Sequence, residues 1–240
     1  MNLIIDVGNT RIKIAVFENS KLIHNESITK GKFEIAVIDL IKKYKCTNAI
    51  ISSVASIKKA EITEIFAKIN LIELDFATKV PFKNEYSTPK TLGVDRIALV
   101  SSAISKFPNQ NVLIIDAGTC ITYDFIDLEG SYFGGAISPG IEMRYKALNT
   151  FTEKLPLLDP NFNNEFIGDS TENCIHVGVV DGVINEIDSF VNQYRKKNKD
   201  LTVVLTGGDT NFLANRLKNG IFANPFFLLE GLNSILTYNL

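Results

Sequence analysis

"LIIDVGNT" (residues 3–10) and "LIIDAGTC" (residues 113–120) are two copies of one pattern, aligned with a constant offset of 110. In each, a short apolar run ends in Asp and passes into a glycine: Asp6 and Gly8 in the first copy, Asp116 and Gly118 in the second. The run reads as a buried strand. The carboxylate at its end stands beside a tight turn whose backbone N–H groups converge, and glycine lets an anion come close. A single turn of this kind is an ordinary strand end. Two at matching places point to a duplicated chain whose halves grip a triphosphate from both sides, the carboxylates holding magnesium directly or through its waters.

The flanking pattern repeats as well. "RIKIAVFENSKLIHNESI" (11–28) alternates apolar and polar residues on both sides of Glu18-Asn19-Ser20, which reads as strand, hairpin and strand. In "KFEIAVIDLIKKY" (32–44) Phe33, Val37, Leu40, Ile41 and Tyr44 share one helical face. "AIISSV" (49–54) is a strand, "IKKAEITEIFAKI" (57–69) a helix and "LIELDF" (71–76) a further strand. The second half restarts with strands at "NVLIIDAG" (111–118), "CITYDFID" (120–127) and "SYFGGAI" (131–137), with a turn at Leu128-Glu129-Gly130. A helical stretch from Thr171 to Tyr194 and the strand "LTVVLT" (201–206) follow. On that helix Gly178 and Gly182 would let another backbone approach, in core packing or at a subunit interface. Three hairpin-linked strands followed by αβα, written twice, resemble an α/β fold of duplicated ribonuclease-H-like domains with a central cleft, the architecture of the actin, sugar-kinase and heat-shock ATPase superfamily. The polar break Phe107-Pro108-Asn109-Gln110 sets the expected domains at 1–109 and 110–240.

Hydrophobic residues make up 45% of the 240, charged residues 22%, and the net charge is −2, without the basic excess that nucleic-acid binding asks for. No run approaches the roughly 18 apolar residues of a membrane span. The N-terminus enters a strand without a basic leader, so a cytoplasmic protein is expected. Cys46, Cys120 and Cys174 are odd in number and widely spaced, which suggests neither a disulfide framework nor a thiolate zinc site.

Neither G-x-x-x-x-G-K-[ST] nor a strand leading into G-x-G-x-x-G occurs. Gly207-Gly208, between "LTVVLT" and "DTNFLANRL", forms either a bare surface for a nucleotide's adenosine or a tight strand-to-helix connection; "GGAISPG" (134–140) is a hinge or a bend. In "TLGVDRIALVSSAI" (91–104) Gly93 ends an extended stretch and Asp95-Arg96 open an apolar helix. The positive end of the helix dipole favours an ionised Asp95, a group able to accept a proton or simply a helix-end charge paired at the surface.

Taken in order, "DVGNTRIK" (6–13), "YSTPKTLGVDR" (86–96), "DAGTCITYD" (116–124), "GGAISPGIEMRYKAL" (134–148), "IGDSTENCIHVG" (167–178) and "TGGD" (206–209) resemble the type III pantothenate kinases across essentially the whole chain. The resemblance implies transfer of the γ-phosphoryl group of ATP, with Mg2+, to the primary hydroxyl of pantothenate, the first step toward coenzyme A. It implies that Asp6, Val7, Gly8, Asn9, Thr10, Arg11, Ile12 and Lys13 hold ATP phosphates and that Thr119 also contacts the nucleotide. Asp116 would bind a monovalent cation, K+ or NH4+. Asp95 would be the general base, and Tyr86, Gly93, Val94, Asp95 and Arg96 the pantothenate segment. Thr171 would complete that pocket from a neighbouring subunit of a homodimer. Val94 and Cys120 stand where alanine is common in such motifs. His24 and His176 match nothing catalytic, and "RKKNK" (195–199) reads as a solvated helix end. The competing readings are a non-catalytic regulatory or accessory protein, an actin-like ATPase, and a sugar or acetate kinase of the wider superfamily.

Overall fold

The computed structural model describes residues 1–8, 11–53, 64–161 and 165–240. They form two compact units. The first holds residues 1–108, 130–133 and 226–240, the second residues 109–129 and 134–225.

The first unit starts with β1 (Asn2–Val7), β2 (Ile12–Glu18) and β3 (Lys21–Ile28), an antiparallel meander. Asn19 turns the β2–β3 hairpin with φ of 54°, the left-handed conformation that Asn tolerates. Helix α1 (Phe33–Tyr44) then crosses to β4 (Asn48–Ser53), which pairs parallel with β1, and β5 (Asn70–Glu73) extends the sheet. Most of the helix expected over 57–69 lies outside the described residues. The strand order is β3-β2-β1-β4-β5. One face of β1 and β2 packs Leu3, Ile5, Ile12, Ile14 and Val16 against Phe33, Val37 and Leu40 of α1. Leu3, Ile4 and Ile5 are all fully buried, because a central strand covered on both faces has no solvent side. A short β6 (Lys83–Asn84) pairs with Ser131 and Tyr132, and α2 (Val94–Lys106) follows it.

The second unit repeats the plan. Strands β7 (Val112–Ala117), β8 (Cys120–Ile126) and β9 (Ser131–Pro139, of which 134–139 lie in this unit) are followed by helices α3 (Ile141–Thr150), α4 (Thr171–His176) and α5 (Gly182–Lys197). Between α4 and α5 the backbone makes one wide π turn over Val177–Asp181. Strand β10 (Thr202–Thr206) pairs parallel with β7, and β11 (Phe222–Ala223) pairs with β10, after the single turn α6 (Thr210–Leu213). The order β9-β8-β7-β10-β11 is that of the first sheet, position for position. Gly130, with φ of +80°, closes the turn expected before β9. Ile175, Val179, Val183, Ile187 and Val191 pack on Leu113, Ile115 and Leu205, as their spacing predicts.

The chain ends in α7 (Phe227–Tyr238), which belongs to the first unit. There a Cβ on Gly231 would lie 1.8 Å from the Ala98 carbonyl oxygen of α2, so only glycine lets the two helices cross this closely. Among the described residues no helix is long and apolar enough to cross a membrane.

Candidate active site

Asp6 ends β1 and faces two neighbours in register: Lys13 across the antiparallel β2 and Ser52 across the parallel β4. Residues directly paired in this way put their side chains on the same face of the sheet. Ser52, almost fully buried, donates its hydroxyl to Asp6 Oδ1 at 2.8 Å. Burial pushes the Asp6 carboxyl above its ordinary value; the Ser52 hydrogen bond and the Lys13 charge oppose this, and the Asp95 charge adds to it. Asp95 therefore stands within electrostatic reach of the first turn. The turn is pinned by Gly8 N–H donating to the Arg11 carbonyl at 3.1 Å. Asn9 and Thr10 lie outside the described residues. Val7 and Ile12 bury their side chains in the core, so only their backbones can serve a ligand, and Arg11 is exposed.

Asp95 lies in the first turn of α2, where Gly93 is the N-cap residue. Its Oδ1 accepts the Arg96 N–H at 2.8 Å. A Cβ on Gly93 would fall 2.3 Å from that same oxygen, so glycine is what allows the carboxylate to fold back over the helix end. Arg96 is buried, its Cζ 5.5 Å from the centre of the Tyr86 ring, and Tyr86 in turn stacks on Tyr132 at 6.1 Å. The first unit thus gathers Asp6, Lys13, Asp95, Arg96 and Tyr86, with Gly93 and Val94 supplying the helix start.

In the second unit Asp116 ends β7 and pairs in register with Thr122 of β8 and Thr206 of β10. Gly207, with φ of +98°, brings bare backbone against it: a Cβ there would lie 2.2 Å from the Ala117 carbonyl and 2.4 Å from Asp116 Oδ1. Gly140 does the same on the other side, 2.0 Å from the Gly118 oxygen, and donates its N–H to the Thr119 carbonyl at 3.1 Å. Thr119 is exposed at the tip. Beside the turn, Asp209 donates its N–H to the Ala117 carbonyl, and burial, helped by Glu142, pushes its carboxyl up to about 6. Thr171 is exposed at the start of α4, after Ser170, whose hydroxyl caps the helix by accepting the Asn173 N–H at 3.2 Å. It lines an apolar groove of about 760 Å³ with Arg144, Leu148, Phe151, Leu155 and Ile175.

Sequence reading missed Ser52, Thr206 and Thr122, which sheet pairing brings beside the carboxylates; the one available signal was the polar end of the apolar strands β4 and β10, and Thr122, inside β8, had none. Arg195 of the basic run is engaged rather than simply solvated: it bonds Asn219 and the Gly220 carbonyl.

A nucleotide can be held by such turns only if the acids beside them are neutralised. Asp6 has Lys13. Around Asp116 the in-register residues are both threonines, and the buried Thr122 Oγ1 makes no hydrogen bond within the described residues. A carboxylate with hydroxyl oxygens beside it is a donor set that suits a hard cation. Among the described residues no group of three or more His, Cys, Asp or Glu is gathered to hold a metal on its own.

Two sheets that share a five-strand order, each with an Asp and a glycine turn at the end of its first strand, define the duplicated fold of the actin and sugar-kinase class. A glucokinase of the ROK family from Streptomyces griseus shares that fold with a TM-score of 0.52 at 9% identity, covering 99% of this chain and 98% of its own. A Campylobacter jejuni protein described as a Baf family transcriptional activator shares it at 0.65 and 22%, covering 99% and 98%. The family model for type III pantothenate kinase matches residues 2–193, and the chain belongs to that family. Type III pantothenate kinases of Christiangramia forsetii and Flavobacterium johnsoniae are 49% and 46% identical, each alignment covering all of this chain and 99% of the relative.

Proposed function

We propose that this chain transfers the γ-phosphoryl group of ATP to the primary hydroxyl of pantothenate, giving 4'-phosphopantothenate in the first step of coenzyme A synthesis, with Asp95 as general base. Membership of the family supports the reaction and implies ATP with a divalent metal. The observation that carries the assignment of roles is that the charge of Asp95 reaches Asp6 of the phosphate turn while Arg96, the next residue, lies over Tyr86.

Phosphoryl transfer asks for positioning and charge neutralisation more than for covalent help. Residues Asp6 to Lys13 supply backbone N–H groups and one ammonium to the phosphates, and a divalent metal, when bound, screens the remaining charge. Asp95 takes the proton from the attacking hydroxyl. Arg96 offers a fork for the pantothenate carboxylate, with Tyr86 stacked beside it and Gly93 and Val94 lining the same segment. Thr119 contacts the nucleotide. Asp116 binds a monovalent cation, K+ or NH4+, with the Thr122 and Thr206 hydroxyls as its neighbours.

The pocket is completed in a homodimer by Thr171 of the partner subunit, and the groove around Thr171 receives the second copy. The apolar lining of the groove supports this reading, with Phe151 85% exposed. A contiguous apolar surface of this kind rarely stays uncovered. The break at 107–110 divides the two copies of the strand plan, 1–109 and 110–240, while residues 130–133 and 226–240 pack with the first unit, and the reaction belongs in the cytoplasm.

Purified protein given ATP, Mg2+ and pantothenate, with and without K+, should yield phosphopantothenate by mass spectrometry. Asp95→Asn should lose at least about a hundredfold in kcat while still binding ATP; full turnover in that variant removes Asp95 as the base. Thr171→Ala should raise the KM for pantothenate, and an active species that sediments as a monomer defeats the shared pocket.

A further inference from the structure

Glu186, on α5, is the convergence point of the second unit. Its Oε1 accepts the Tyr123 hydroxyl at 2.9 Å and the Ser138 hydroxyl at 2.6 Å; its Oε2 accepts Arg144 Nη2 at 2.6 Å. Arg144 also donates from Nε to the Pro139 carbonyl at 2.9 Å. One carboxylate thus ties together β8, the end of β9 and the first turns of α3. Burial works against ionisation of Glu186, yet the bonds from Arg144, Ser138 and Tyr123 outweigh it and hold the carboxyl below its ordinary value.

The segment that Glu186 holds is the one that shapes the second turn. Ser138 and Pro139 lead directly into Gly140, whose N–H binds the Thr119 carbonyl and whose bare Cα presses on Gly118 and Thr119. A Cβ-free approach this close transmits any displacement of residues 138–140 to Thr119, because no slack remains between the two backbones. We propose that Glu186 is a positioning residue for the nucleotide: through Ser138 and Arg144 it clamps residues 138–140 against Gly118-Thr119 and thereby sets the geometry of the second turn. This deepens the proposed function and rests on Thr119 contacting ATP.

The test compares steady-state kinetics and thermal stability of three variants of the full chain. Thr119→Ala checks the underlying reading and should raise the KM for ATP. Glu186→Gln keeps an acceptor for Ser138 and Tyr123 but loses the charge facing Arg144; Ser138→Ala removes only the bond to the loop. Glu186→Gln should raise the KM for ATP about tenfold and Ser138→Ala about threefold, the size expected for charge-assisted hydrogen bonds, with the KM for pantothenate within about twofold of wild type. If both variants lower thermal stability but leave the ATP KM unmoved while Thr119→Ala raises it, Glu186 is only a scaffold residue and the proposal falls. If Thr119→Ala has no effect, the reading of the turn falls first. Should Glu186→Gln fail to fold, Ser138→Ala decides alone by the same criterion.

Discussion

At the end of β1 the Asp6 carboxylate has a lysine across one strand and a serine hydroxyl across the other; at the end of β7 the Asp116 carboxylate has threonines on both sides. The two turns come from one repeated pattern, and a constant offset of 110 would put Tyr123 where Lys13 stands. The ladder puts Thr122 there instead. In the first unit Val7 pairs with Ile12, and in the second Ala117 pairs with Ile121, so the second loop is one residue shorter and its return strand is slipped by one. Because side chains alternate faces along a strand, this slip exchanges what meets the acid. The acid of the first turn meets an ammonium group and a hydroxyl in register, and that of the second meets two hydroxyls. Duplication here preserved the backbone plan and changed the neighbours of the acid.

The turns also differ in what holds them. The acid of the first is fastened by a side chain, Ser52, whereas the second turn is wedged between two glycine backbones, Gly140 and Gly207. The largest effect that can break this contrast is expected from Gly207→Ala. Its φ of +98° disfavours any side chain and the new Cβ would meet backbone at 2.2 Å, so a loss of about 3 kcal/mol or more in urea unfolding is expected. A near-neutral result would mean that the wedge is dispensable. Next comes Ser52→Ala, which leaves the half-buried Asp6 carboxylate without its hydroxyl donor and should cost about 1–3 kcal/mol, with a raised KM for ATP. Ser52→Thr should restore most of both, and equal failure of the two would show that the hydroxyl is not what matters.

Asp209 sharpens the electrostatic side of the comparison. Its carboxyl is pushed from 3.8 to about 6, so the folded state binds the proton more tightly than the unfolded chain. Stability contributed by the protonated group is present at low pH and is lost as pH rises from about 4 to 6. Asp209→Asn should therefore melt higher than wild type above pH 6, with the advantage vanishing below pH 4. A pH-independent difference would place its origin in packing. The smallest effect is expected at the first turn, where among the described residues a Cβ on Gly8 meets the Arg11 carbonyl at 3.1 Å. Gly8→Ala should lower the melting temperature far less than Gly207→Ala, and a comparable loss would erase the distinction between the two turns.

Much of this molecule was legible beforehand where the signal is local. The hairpin at Glu18-Asn19-Ser20 and the turn at Gly130 followed from residues that accept positive φ, and α1 and the 171–194 stretch followed from apolar spacing. The start of α2 at Gly93-Val94-Asp95 was equally readable, because a helix end announces itself by its own residues. Other features had no local signal. The final helix α7 joins the first unit, where Asn233 accepts from Asn2 at 2.9 Å across 231 residues of chain. Glu186 looks from its neighbours like any exposed-face helix residue, and only the positions of β8, β9 and α3 make it a hub.

From the order of its residues alone this chain carried its duplicated strand plan, its paired acidic turns and the motif series of its family, because each depends on residues close together in sequence. Which hydroxyl or ammonium group meets each acid, and which carboxylate clamps the second turn, was decided by tertiary structure. A sheet's register and the crossing of helices bring together groups tens to hundreds of residues apart, and a slip of one residue in a strand replaces one partner with another.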